Sequence, residues 1–239
     1  MTSVERTGRL FSDIDWGQVS VDMHERGYAE VPGVLDAEQC REFIRNYDAA
    51  GYRKTVTMER HRFGLGEYKY FDYPLPVLVQ TAREEIFPKL VPIANKWAEQ
   101  LDLGIWFPAT FAEFRAQCHK AGQTKPTPLI LKYGAGGFNT LHQDLYGEVY
   151  FPIQIAFFLN SPGVDHTGGE FVLTEQTPRA QSKAVVLRPG RGDMIIFTTN
   201  FRPIKGSRGY YRAKVRHGVS EIRSGERHTL GIIFHDATS

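Results

Sequence analysis

Apolar positions recur along this 239-residue chain in two rhythms, and the rhythm changes near residue 125. Ahead of that point they fall three and four apart, the period of a helix packed on one side. An Asp36 N-cap opens a predicted helix over 37–50. A second runs over 77–101, with Pro88 and Pro92 expected to break or kink it, and a third over 110–120. Beyond Lys125 the period falls to two in short runs, which predicts strands over 128–133, 149–159, 170–175, 183–187, 193–199, 210–219 and 227–235. Turn residues such as Gly190-Arg191-Gly192 and Lys205-Gly206-Ser207 separate them. Helices first and many short strands afterwards predict an α+β chain. Its expected form is a double-stranded β-helix, the jelly roll of cupin-like proteins, over 126–239, with an N-terminal helical layer as mainly helical support over 1–125.

Composition narrows the class without altering that outline. A chain of 239 residues buries roughly 70–75 per cent of its unfolded surface, so a single domain over the whole length is expected. No run of about 18 apolar residues suggests a membrane span. The opening Met1-Thr2-Ser3-Val4-Glu5-Arg6 lacks the hydrophobic region of a secretion signal. Cys40 and Cys118 stand far apart with no Cys-x-x-Cys context, which fits reduced thiols in a reducing compartment. A cytoplasmic enzyme with no membrane association is the expectation. No internal repeat or low-complexity segment interrupts it.

Four residues carry the candidate chemistry. His142-Gln143-Asp144 is the one His-x-Asp or His-x-Glu pattern in the chain. Two positions apart on a strand, His142 and Asp144 point to the same side. Two imidazoles and one carboxylate on one face of Fe(II) leave the opposite face open for an oxidisable co-substrate and O₂. Alone the pattern is weak, because a surface histidine near an aspartate needs no metal. His217 strengthens it. Tyr211, Ala213, Val215, His217 and Val219 alternate with Arg212, Lys214 and Arg216, which turns His217 inward. A lone inward histidine is more often a core residue satisfied by a carbonyl, and for His217 by itself that alternative stays open. Further on, Arg227 shares a strand face with Thr229 and Gly231. A guanidinium forks onto a carboxylate, a hydroxyl adds a hydrogen bond, and the missing side chain leaves room for a small diacid. An ordinary surface cation is the other possibility for Arg227, but it leaves the spacing from His217 unexplained.

From Pro128 to Ala237 the chain resembles the 2-oxoglutarate- and Fe(II)-dependent dioxygenases. The resemblance rests on Leu131-Lys132-Tyr133-Gly134 leading to His142-Gln143-Asp144, on Gly168-Gly169-Glu170-Phe171, on Gly192-Asp193-Met194-Ile195-Ile196-Phe197, and on His217-Gly218-Val219 continuing to Gly225-Glu226-Arg227. The Gly-Gly-Glu and Gly-Asp-x-Ile-Ile-Phe segments, with the stretch from Gly27 to Leu35, look like prolyl 4-hydroxylases. The spacing from Tyr133 to His142 and the Arg-x-Thr pair look like the AlkB-type nucleic-acid demethylases. The run from His142 to Ala237 is most similar to a bacterial family described as oxygenases predicted to act on damaged or methylated DNA bases. The resemblance implies that His142, Asp144 and His217 ligate the iron, that Arg227 holds the distal carboxylate of 2-oxoglutarate, and that Tyr133 and Thr229 add contacts to it. It further implies Fe(II), 2-oxoglutarate and O₂, with ascorbate supporting activity. Decarboxylation to succinate would be coupled to hydroxylation of a substrate C–H bond, and retention of Asp144 favours hydroxylation over halogenation. Two positions depart from the patterns. Tyr146 stands where AlkB-type enzymes carry a base-contacting Asp, and Phe158 stands near the place of a prolyl-hydroxylase Tyr.

Charge bears on the substrate. From Arg188 to Arg216 there are eight basic residues against one acid, Asp193, on a chain whose net charge is +2. The segment from Asn200 to Tyr210 is expected as a loop whose aromatics stack on bases, and Tyr146, Tyr210 and Tyr211 are candidates to sandwich a flipped base. A nucleic-acid partner and demethylation of a modified nucleobase follow from that reading. Hydroxylation of a peptide or small metabolite remains open, because cations also suit an acidic metabolite and a charge run is often only a solvated strand face. A non-catalytic metal-binding jelly roll that senses or binds is the third possibility, disfavoured by Arg227, which such a module does not need. The aromatic, glycine-rich segment from Arg62 to Tyr73 reads either as a cover over the mouth of the site or as a hairpin packed on the barrel. His24, His61, His119, His166, His228 and His235 have no partner at ligand spacing and read as structural or surface residues.

Overall fold

Side chains that cap free N–H groups start three of the four helices among the described residues, which are 11–49 and 51–239 of this computed structural model. The opening Met1-Thr2-Ser3-Val4-Glu5-Arg6 and Ala50, the expected end of the first predicted helix, lie outside them. α1 (Trp16–Arg26) begins at Asp15, whose carboxylate accepts from Gln18 N, and ends at Gly27 with φ 76°. α2 (Ala37–Arg45) has a reciprocal capping box between Asp36 and Gln39 and ends earlier than predicted, with Asn46 as C-cap. α4 (Phe111–Lys120) repeats the capping box with Thr110 and Glu113. α3 (Val77–Gln100) runs through Pro88 and Pro92 instead of breaking there. Pro92 is exposed, and the carbonyls the two rings leave free belong to exposed Glu84 and half-exposed Pro88, where water can take the missing N–H role.

Four strands also precede residue 125, so the first part of the chain is not a helical layer alone. They are β1 (Tyr28–Val31), β2 (Tyr52–Thr57), β3 (Gly64–Leu65) and β4 (Glu67–Phe71). Beyond them come β5 (Leu129–Tyr133), β6 (Phe138–His142), β7 (Ile153–Phe158), β8 (His166–Gly168), β9 (Phe171–Gln176), β10 (Lys183–Leu187), β11 (Met194–Thr198), β12 (Phe201–Gly206), β13 (Gly209–Val219), β14 (Ile222–Gly225) and β15 (Arg227–Ile232). A larger sheet has the order β1-β11-β7-β15-β5-β4-β2 and a smaller one β10-β9-β13-β6-β3, with β12 added to β13; β8 and β14 pair separately. All named pairs are antiparallel. The segment expected as a loop from Asn200 to Tyr210 is largely the β12–β13 hairpin, registered from Phe201↔Lys214 to Gly206↔Gly209. Pro203 masks the strand in the sequence, and β12 tolerates it because it lies at an edge.

β7 shows how the layers pack. All six of its residues are buried. Ile153, Ile155 and Phe157 belong to the core that the helices cover, together with Phe87, Leu90 and Phe114. Ala156 and Phe158 turn to the other face, where they meet Phe171 and Leu173 of β9 and Val215 of β13 in the smaller sheet. A strand covered on both faces reads as a continuous apolar run rather than an alternation. The chain passes between the sheets after β3 and after β5, through glycines. Gly66, at φ 151°, lies so close to Tyr133 that an added Cβ would sit 2.8 Å from its ring.

Candidate metal centre

Strand register assembles the first three residues. β13 pairs with β6 so that His217 is directly opposite His142, and their rings stand 4.2 Å apart between centroids. Asp144 follows two positions on, with Oδ1 3.6 Å from His142 Nε2 and Oδ2 3.2 Å from His217 Nε2. Ligands about 2.1 Å from one ion, on one face of an octahedron, lie roughly 3 Å apart, so a single transition-metal ion suits this set. All three donor atoms fall within 4.8 Å of one another, the one such His/Cys/Asp/Glu group among the described residues. His142 Nδ1 is 2.8 Å from the carbonyl of Thr140; donating there leaves Nε2 free to face the metal position. Gln143, between two of the three, donates from Nε2 to Asn200 O and Val215 O and so ties their loop to β13.

Electrostatics keep the carboxylate charged. Burial raises the Asp144 carboxyl, but the hydrogen bond and charge of His217, the charge of His142 and the Tyr146 hydroxyl outweigh it and hold the group well below the usual carboxylate range. Burial lowers the His217 imidazole, and the neighbouring His142 adds to the fall against the pull of Asp144. A neutral His217 imidazole beside an ionised Asp144 carboxylate matches the protonation states that ligation requires.

The facing wall comes from the larger sheet. β15 pairs with β5 so that Arg227 is opposite Tyr133 and Thr229 opposite Leu131. Arg227 is 2% exposed. Its NH1 donates to Thr229 Oγ1 at 2.8 Å, whereas NH2 is buried without a hydrogen-bond partner. Burial pushes the guanidinium down to about 10, with Tyr133 and Glu170 opposing, so it remains a cation at neutral pH. An unpaired buried N–H on a cation is expensive unless a ligand completes it, and a carboxylate does so. Thr229 holds the arginine directly. Tyr133 is fully buried, and its hydroxyl accepts from Asn139 at 3.2 Å.

One cavity of about 210 Å³ has His142, Asp144, His217, Tyr133, Arg227, Thr229 and Gly231 on its walls. The rest of its lining is largely apolar and aromatic, including Phe63, Tyr68, Leu131 and Tyr146. Of the segment from Arg62 to Tyr73, Phe63 and Tyr68 line the cavity, and its strands join different sheets: β3 pairs with β6 and β4 with β5. None of the eight cations from Arg188 to Arg216 lines this cavity, and neither Tyr210 nor Tyr211 does. His217 lies seven positions from Tyr210 along β13, on the order of 23 Å at about 3.3 Å per residue. Of the three aromatics expected around a base, Tyr146 alone is at the site. Arg202 is a buried brace, 2.6 Å from Glu175, while Arg212, Lys214 and Arg216 form an exposed row on the opposite side of β13 from His217. Sequence reasoning missed Gln143, Tyr70 and Gly169. The Gly-Gly-Glu motif was the available signal for the last: a Cβ on Gly169 would lie 2.9 Å from Arg227 Cδ.

Three kinds of similarity bear on this geometry. Residues 66–237 match a family model described as an oxygenase catalysing oxidative methylation of damaged DNA. The uncharacterized protein Rv2227 of Mycobacterium tuberculosis is 47% identical over 167 residues, 70% of this chain and 72% of its own length. In fold the chain is similar to a Pseudomonas putida prolyl-4-hydroxylase, with TM-score 0.55 and 15% identity over 92% of this chain and 98% of that one. It is equally similar to an oxidoreductase of the 2OG-Fe(II) oxygenase family from Burkholderia pseudomallei, with TM-score 0.55 and 14% identity over 95% of each chain.

Proposed function

The chain belongs to the family of oxygenases described as catalysing oxidative methylation of damaged DNA, and from that premise we propose an Fe(II)- and 2-oxoglutarate-dependent dioxygenase, built on a double-stranded β-helix, that oxidises the methyl group of a modified nucleobase. One observation carries the oxygenase reading: the His142, Asp144 and His217 donors and the unsatisfied Arg227 NH2 belong to walls of the same cavity. A metal-binding module has no use for the second, and a simple hydrolase none for both. Bound Fe(II), with 2-oxoglutarate and O₂, supplies the oxidation of a substrate C–H bond, coupled to formation of succinate and CO₂. Oxidising a methyl carbon attached to a ring nitrogen gives a carbinol that releases formaldehyde, so the methyl group is removed.

The protein's own residues bind and orient. His142, Asp144 and His217 hold the metal. Arg227, steadied by Thr229, pairs with the distal carboxylate of 2-oxoglutarate, and Tyr133 walls that end. The apolar lining excludes water, which strengthens each charged contact inside. Tyr68 and Tyr146 offer ring faces to a planar base.

A second substrate reading rests on the cavity itself, whose lining among the described residues has no lysine or arginine besides Arg227. Such a pocket also suits an apolar side chain of a peptide or a small metabolite. The test is succinate formation with Fe(II), 2-oxoglutarate and ascorbate, with methylated oligonucleotides compared against peptide and metabolite pools. Stimulation by methylated oligonucleotides with release of formaldehyde is expected. Oligonucleotide affinity should fall steeply with salt. Stimulation by peptides or metabolites alone moves the substrate to the second reading. No succinate under any condition, where the Asp144→Ala control is equally silent, removes the oxygenase reading.

A further inference from the structure

Tyr146 does more at this site than present a ring to a substrate. Its hydroxyl lies 2.8 Å from Asp144 Oδ1 and 3.0 Å from the hydroxyl of Tyr70. An ionised carboxylate only accepts hydrogen bonds, so Tyr146 must donate to it. A phenol has one proton, so toward Tyr70 the Tyr146 oxygen can only accept, and Tyr70 must donate. The direction of both hydrogen bonds follows from that single constraint.

We propose that Tyr70 and Tyr146 form a positioning relay that holds Asp144 through Oδ1 and so fixes the orientation of its carboxylate toward the metal position. The inference rests on the assignment of His142, Asp144 and His217 as ligands. Oδ2 lies 3.2 Å from His217 Nε2 and Oδ1 3.6 Å from His142 Nε2, so the hydrogen bond on Oδ1 sets how the carboxylate is turned between the two imidazoles. With Oδ1 held by Tyr146, the carboxylate would keep one orientation as a ligand, and His142, Asp144 and His217 would hold the metal as a set on one face.

The relay is anchored away from the ligands. Tyr70, 5% exposed on β4, packs with Val56, Leu129 and Ile233, and Tyr146 packs against the same cluster. The Arg53 guanidinium covers the Tyr70 ring at 4.5 Å. The two tyrosine rings meet edge to face, 6.1 Å between centroids. Tyr70 therefore reaches the metal position only through Tyr146, and it belongs to the larger sheet whereas His142 and His217 belong to the smaller one. Metal affinity thereby depends on how the two sheets sit together at this end.

The test is anaerobic Co(II) titration of the full chain, followed by its visible absorption spectrum, for wild type, Tyr146→Phe, Tyr70→Phe and Asp144→Ala. Phenylalanine keeps the rings and removes only the hydroxyls. Loss of an outer partner of a metal ligand weakens binding about 10–100-fold, and that is expected for Tyr146→Phe, together with a changed Co(II) spectrum. Tyr70→Phe should weaken binding in the same direction by a smaller factor, with 2-oxoglutarate affinity at saturating Co(II) unchanged, since Arg227 is untouched. Unchanged Co(II) affinity and spectrum in Tyr146→Phe overturn the relay. So does a Tyr70→Phe protein indistinguishable from wild type, and this arm decides the matter if Tyr146→Phe does not fold. Wild type that binds Co(II) no better than Asp144→Ala overturns the ligand assignment and the relay with it, so the two failures are distinguishable.

Discussion

Replacing Arg227 by methionine should separate co-substrate binding from folding. Without ligand, the guanidinium is held by NH1 on Thr229 Oγ1 at 2.8 Å and by the rings of Phe158 and Tyr133, 5.2 and 5.7 Å away. Its NH2 is buried and unpaired. Burial has pushed its pKa down to about 10, and at about 1.4 kcal/mol per unit the buried charge costs roughly 3 kcal/mol. The hydrogen bond to Thr229 from a charged donor returns about 1.5–3 kcal/mol. The two nearly cancel. Arg227→Met should therefore shift stability by no more than about 2 kcal/mol in either direction, a few degrees in Tm for a chain of this size. Binding of 2-oxoglutarate should fare differently. Two charge-assisted hydrogen bonds contribute roughly 3–6 kcal/mol, a loss of about 10²–10⁴ in affinity. Arg227→Lys keeps the charge but loses the fork, and should weaken binding about 10–100-fold. Calorimetric titration of 2-oxoglutarate into the Mn(II)-loaded protein, beside thermal unfolding of the metal-free protein, reads both quantities. A methionine variant that binds 2-oxoglutarate as wild type does, or one that unfolds with the co-substrate affinity of its folded fraction unchanged, would refute the reasoning and make Arg227 a structural cation.

Gly169→Ala should weaken both stability and 2-oxoglutarate binding. Its Cβ would lie 2.2 Å from Ile222 Cδ1 and 2.9 Å from Arg227 Cδ at φ 71°, so a loss of about 2–4 kcal/mol in denaturant unfolding is expected. His228, 3% exposed, is lowered by burial, and next by the charge of Lys132, to about 4 from 6.5. The folded state resists its protonation, so stability present above pH 6.5 is lost as pH falls toward 4, by roughly 3 kcal/mol. His228→Gln should flatten that acid limb in pH-dependent unfolding; an unchanged limb would show that another group sets it. Arg202→Ala breaks the 2.6 Å pair with Glu175 and should lower stability by about 3 kcal/mol while leaving oligonucleotide affinity of the folded protein as it was. A drop in affinity with unchanged Tm would restore Arg202 as a binding residue.

The strands that carry the site were legible because their side chains follow a period of two. Tyr211 to Val219 alternates cleanly, and that alone turned His217 inward. Arg227, Thr229 and Gly231 were seen to share a face for the same reason. The helix starts at Asp36 and Thr110 were legible because capping is a local hydrogen bond between residues three apart. β1 and β2, by contrast, are stabilised by pairing across long sequence separations, Tyr28 with Phe197 and Tyr52 with Phe71, and their own patterns are short. The charge run from Arg188 to Arg216 was visible as composition, but the sequence could not say that Arg202 is buried against Glu175 while Arg212, Lys214 and Arg216 line a face turned away from the cavity.

Sequence by itself determined which residue types stand where the proposed chemistry would need them: two histidines and an aspartate, and an arginine with a hydroxyl and a glycine on its strand. Tertiary structure alone decided what they face. The register that sets His217 opposite His142 and Arg227 opposite Tyr133 depends on which strands become neighbours, and one residue of slip would turn either pair outward. The hydrogen bond from Tyr70 through Tyr146 to Asp144 spans 76 positions of sequence in its first step. No local pattern encodes it, because it exists only once the two sheets close on each other.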